Sequence, residues 1–72
     1  MSLRRHSVTI NGHRTSVAIE DEFWMEVTRI AQQRGISTAR LIAEVDRMRT
    51  AATPPANLSS ALRLYVLNDL KR

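Results

Sequence analysis

The side chains able to do chemistry in this sequence are few, and they crowd its N-terminal end. Before Glu20 stand Arg4, Arg5, Arg14, His6 and His13, with no acid among them. A basic, acid-free stretch suits a polyanion, either nucleic acid or a membrane surface, and a solubilising tail is the plainer role for such charge. Metal chemistry is a weak prospect. His6 and His13 have no further His or Cys to complete a site, so no metal is expected. Groupings for catalysis are missing too: no cysteine nucleophile, no glycine-rich phosphate loop, and no acid pair in surroundings that would separate its pKa values. Ser59 and Ser60 fall in the first turn of a helix, where serine is common for capping reasons. Neither enzyme activity nor a cofactor is expected.

The size of the chain says what can hold these residues in place. Seventy-two residues make a single domain, 1–72. A monomer of this length buries only about 60% of its unfolded surface, which leaves its stability marginal. Yet 43% of the residues are apolar and there is no cysteine for a disulfide. An oligomer sharing one core would reconcile the two. The net charge is +4 and the isoelectric point about 11.1. No apolar run approaches the roughly 20 residues needed to span a bilayer, and no signal-peptide core is evident. The expectation is a cytoplasmic protein without a membrane role.

Hydropathy patterning supplies the elements. Residues 1–5 read as a basic arm. His6-Ser7-Val8-Thr9-Ile10 alternates, as does Arg14-Thr15-Ser16-Val17-Ala18-Ile19, and Asn11-Gly12 lies between the two runs. Asn-Gly tolerates the positive φ angles of a type I′ turn, so a hairpin over 6–19 is predicted. A two-residue loop pairs Ile10 with His13, Val8 with Thr15 and His6 with Val17. Val8, Ile10, Thr15, Val17 and Ile19 then share one face, and Arg5, Ser7, Thr9, Arg14 and Ser16 the other. Agreement of the two faces across the turn supports that register.

The period changes after Ile19. Glu20, Asp21 and Glu22 precede Phe23, Val27, Ile30, Ala31 and Arg34, spaced as one face of a helix over about 21–34, with acids suited to its N-terminal dipole. Trp24 and Met25 widen the apolar stripe, and Trp24 reads as core or interface packing. Gly35 ends the helix and Ser37 caps a second one, about 37–50. Leu41, Val45 and Met48 form its expected buried stripe with Ile42 at the edge, while Arg40 and Glu44 make an exposed i,i+4 pair. Residues 51–56 are a proline-containing linker. Asn57 caps a third helix, about 58–70, apolar nearly all round, which is expected to wrap over its own dimer or swap onto a partner. No internal repeat and no low-complexity segment is apparent.

A strand, a helix, a tight Gly35-Ile36-Ser37 turn and a second helix in immediate succession, Arg14 to about Met48, resemble the ribbon-helix-helix family of DNA-binding proteins. The resemblance implies a mainly helical α+β fold, an intertwined homodimer with an intermolecular antiparallel sheet, and a ribbon that enters the major groove of double-stranded DNA. It places Arg14, Ser16 and Ala18 at the base-reading positions of the strand and implies a phosphate seat at Ser37, with Thr38 beside it. Arg4 and Arg5 are assigned to phosphate. The hairpin's first strand and the third helix are departures from the simplest members. A four-stranded sheet cannot all sink into a groove about 12 Å wide, so the first strand is expected at the rim or in an arm.

A bacterial, nucleoid-associated transcriptional regulator is therefore the leading expectation. Two alternatives remain. One is an antitoxin-like module whose C-terminal helix binds a protein partner; the other is a structural assembly module that does not bind DNA.

Overall fold

The computed structural model describes residues 3–55 and 57–72. Two strands, β1 (Leu3–Ile10) and β2 (His13–Glu20), are followed by three helices, α1 (Asp21–Arg34), α2 (Thr38–Ala51) and α3 (Leu58–Leu70). The hairpin forms because Asn11 and Gly12 take φ of 51° and 78°, which turns the chain without splaying right-twisted strands. Its register is the one legible in the sequence: Ile10 faces His13, Val8 faces Thr15 and His6 faces Val17. The ladder runs further than expected, from Leu3 opposite Glu20. Arg4 and Arg5 thus belong to β1 rather than to an arm, and residues 1 and 2 of that arm lie outside the described residues.

No loop separates β2 from α1, since Glu20 both ends the strand and stands before the first helical residue in extended conformation. Asp21 and Glu22 in the first turn favour the positive end of the helix dipole. Gly35, at φ 70° and ψ 29°, closes α1. Its N–H donates to the Gln32 carbonyl at 3.1 Å and the Ile36 N–H to that of Ala31 at 3.0 Å, satisfying two of the carbonyls that a helix end leaves open. Ser37 then caps α2 by accepting from the Arg40 N–H at 3.0 Å, and Asn57 caps α3 through Ser60 at 2.8 Å.

One side of the hairpin and the three helices share one core: Ile10, Val17 and Ile19 from the sheet, Val27, Ile30 and Ala31 from α1, Leu41, Ile42 and Val45 from α2, and Leu62 and Val66 from α3. Three details of the expected stripes are corrected. Ile42 is fully buried, whereas Met48 and Met25 stand 54% and 66% exposed. Glu44 bonds Arg34 of α1 at 2.9 Å rather than Arg40, because the tight turn lays the end of α1 beside α2.

Helix α3 docks on its own chain. Beyond Leu62 and Val66, Arg63 grips both Glu20 carboxylate oxygens at 2.8 and 3.1 Å. Asp69 meets Arg29 at 3.0 Å, and Arg34 donates to the Tyr65 hydroxyl at 3.2 Å. Ser59 Oγ donates to the Ala18 carbonyl at 2.8 Å. Trp24 is half-buried, with the His6 ring stacked on it at 3.9 Å and 5°. That contact makes it a packing residue.

Candidate nucleic-acid interface

The outer face of the hairpin gathers six side chains in three facing pairs: Arg5 with Ala18, Ser7 with Ser16, and Thr9 with Arg14. All are exposed except the half-exposed Ala18. Alternation in a strand sends every second residue to one face, so the core-facing Val8, Ile10, Val17 and Ile19 oblige these six to point away. Neither Arg5 nor Arg14 makes an ion pair or side-chain hydrogen bond among the described residues. The face carries two guanidinium groups, three hydroxyls and no carboxylate. Arginine can donate in bidentate fashion to guanine, and serine or threonine can serve any base edge.

The acids nearest this face in sequence are engaged elsewhere. Glu20 is held by Arg63, whose hydrogen bonds keep its carboxyl below the ordinary value of 4.5. Asp21 lies 3.4 Å from Arg4. Arg4, opposite Ile19, therefore belongs to the other side of the sheet from Arg5, and the structure separates two arginines that the sequence reading grouped together.

Ser37 and Thr38 sit at the turn between α1 and α2. With the Arg40 amide satisfied by Ser37 Oγ and the Leu41 amide by the Ser37 carbonyl, the Thr38 and Ala39 N–H groups are left without an intrahelical acceptor. No hydrogen bond or ion pair among the described residues ties this turn to the hairpin, so it forms a second locus. His6 stacks on Trp24 and His13 is exposed; no cluster of three or more potential metal ligands occurs among the described residues.

The order of elements, the register and the helix-turn-helix junction now stand together, and a family model described as a ribbon-helix-helix domain matches residues 3–70. The chain belongs to the ribbon-helix-helix family. No curated protein and no solved structure matches it. The strand that leads directly into the first helix is β2. Its partner in this fold is β1 of the same chain, and the Ala18 carbonyl accepts a hydrogen bond from Ser59 of α3. Arg5, Ser7 and Thr9 on β1 share the outer face with Arg14 and Ser16, as the sequence pattern predicts. Their alternation with Val8 and Ile10 was the signal, and once the turn fixes the register it puts them beside Arg14 and Ser16.

Proposed function

We propose that this protein binds double-stranded DNA through the outer face of its hairpin and acts as a bacterial transcriptional regulator. Arg14 and Ser16 contact bases, Ala18 supplies apolar contact, and the start of α2 at Ser37 and Thr38 holds a phosphate through the free Thr38 and Ala39 N–H groups. The observation that carries the reading is the outer face itself: two arginines without an ion pair among the described residues, set among exposed hydroxyls on a two-stranded ribbon whose strands lie about 5 Å apart. A ribbon of that width suits the major groove. The working unit is a homodimer, supported by Met48, Leu64, Leu67 and Leu70, large apolar side chains that remain exposed in one chain.

Fluorescence anisotropy with labelled duplex DNA tests this. If each dimer neutralises about four to eight phosphates, log affinity falls against log salt with a slope of roughly −4 to −7. Arg14→Ala costs about 1–3 kcal/mol on a preferred site and relaxes base preference. Salt-independent affinity, or none, would leave the assembly-module reading in its place. The antitoxin-like reading keeps one foothold, because Leu64 and Met48 line a cleft of about 400 Å³ between α2 and α3. A protein partner would sit there on a docked helix, not on a free one.

A further inference from the structure

Helix α3 has more apolar surface than its own chain covers. Leu62 and Val66 are buried in the core, which accounts for one side. Leu64, Leu67 and Leu70, three residues apart, are between 48% and 61% exposed. Residues at that spacing are neighbours on a helix surface, so the three leucines form one stripe. Charge is kept off it. Arg63 is turned to Glu20 and Asp69 to Arg29, each on an element packed against α3. A solvated helix face carries charged and polar residues, and this stripe carries leucine.

The stripe belongs to the helix that borders an open sheet edge. A two-residue turn makes Ile10 and His13 a hydrogen-bonded pair, so along β2 the backbone groups of Arg14, Ser16 and Ala18 point away from β1. Such an edge is a template for another strand. Helix α3 lies along it: the Ser59 hydroxyl donates to the Ala18 carbonyl at 2.8 Å, and Arg63 holds Glu20 at the strand's end. Helix α2 packs against β1 instead. A carbonyl oxygen has two lone pairs, so Ser59 leaves that of Ala18 able to accept once more.

We propose that α3 packs against α3 of a second copy, the Leu64–Leu67–Leu70 stripes meeting beneath an intermolecular sheet formed by the two β2 edges. This rests on the homodimer proposed above and says which helix closes it. One two-fold axis serves both layers. Beside Ser16, it makes hydrogen-bonded pairs of Ser16 with the partner's Ser16 and of Arg14 with the partner's Ala18, so no arginine faces another. The paired strands lie nearly 5 Å apart, and each α3, bound to its own strand's edge, is carried toward its copy by the same axis. Packed helices stand about 8–10 Å apart, axis to axis. Leucine meets leucine there without a charge to desolvate. The two central strands present Arg14, Ser16 and Ala18 twice, and each β1 flanks them.

Sedimentation velocity from nanomolar to micromolar protein, on the full chain and on a variant with Leu64→Glu and Leu67→Glu together, tests the proposal. The wild type sediments as a dimer. The variant's dimer dissociation constant rises roughly a hundredfold or more, because each change acts twice across the axis. Its circular dichroism matches the wild type's, since both leucines stand outside the buried core. A cross-link decides even where that variant unfolds. The chain has no cysteine, so Leu64→Cys and Leu67→Cys each introduce a single thiol. A bis-maleimide whose span matches the helix spacing joins two chains at one or both positions, and does not in Arg47→Cys, on an exposed part of α2. A dimer unchanged by the double substitution overturns the proposal, as does the absence of a cross-link at both positions. Either result leaves the homodimer and its DNA binding standing and gives the stripe to a different protein. A wild type that is monomeric throughout overturns the homodimer as well.

Discussion

Replacing Leu62 by alanine asks whether the third helix is part of the folded body. Leu62 is fully buried, in the same cluster as Ile19, Leu41 and Ile42. Truncating a leucine in such a site costs about 2–5 kcal/mol, a transfer loss plus the cavity left behind. A chain of 72 residues has on the order of 4–11 kcal/mol of total stability. The loss is therefore a large fraction of the whole. With a urea dependence of about 1 kcal/mol per molar, typical of small domains, the midpoint should fall by about 2–5 M. Equilibrium unfolding followed by the single tryptophan reads it directly, because Trp24 lies on α1 and reports loss of the shared core. Limited proteolysis at residues 51–57 should accelerate in parallel. A midpoint loss below about 0.5 M, with α3 cleaved equally fast in both proteins, would mean that α3 is detached in the free chain. The antitoxin-like reading would then gain what the docked-helix reading loses.

Acid should loosen the same attachment. Hydrogen bonds from Arg63 and Arg34 hold the Glu20 and Glu44 carboxyls below 4.5, so the folded protein binds fewer protons there than the unfolded chain. Their contribution is complete above the unfolded value and fades as pH falls through the folded one; urea midpoints should drop below about pH 4.5, and less steeply in Glu20→Gln. Gly35→Ala should cost about 1–2 kcal/mol by thermal unfolding, because φ of 70° disfavours a Cβ although no atom lies within 4 Å of where it would stand. Ser37→Ala should cost about 1 kcal/mol through the lost cap at Arg40. The backbone amides survive the change, so DNA affinity should fall by no more than a similar factor, equally on every sequence.

Local chemistry made much of this fold legible. Asn11-Gly12 fixes a turn type, the turn fixes the register, and the register sorts every strand residue to a face. Gly35 and Ser37 mark the junction of α1 and α2 equally well, and Asn57 marks the start of α3. Where the chain meets itself at long range, the sequence was mute. Leu41, Ile42, Val45 and Met48 span a broad apolar arc of α2. Which part is buried depends on what α2 packs against, and Ile42 is buried where Met48 stays exposed. Glu44 looked like Arg40's partner until the turn brought Arg34 beside it. Ser59 and Ala18 lie 41 residues apart, beyond any local pattern. On the outer face of the hairpin, Arg14, Ser16 and Ala18 did emerge together with Arg5 beside them, and only the bound of the basic arm was off, because the strand begins earlier than its hydrophobic alternation does.

The missing linker between β2 and α1 leaves the sheet nowhere to swivel. Glu20 ends one element, Asp21 begins the next, and Arg63 clamps the joint from α3. Any tilt of the hairpin must drag the helical body with it, so little orientational freedom remains to be frozen when a ligand arrives. The same stiffness works in reverse. Substitutions deep among Val27, Leu41 and Leu62, far from the outer face, should re-aim Arg5 and Arg14 as a unit and surface as altered ligand preference before they surface as unfolding.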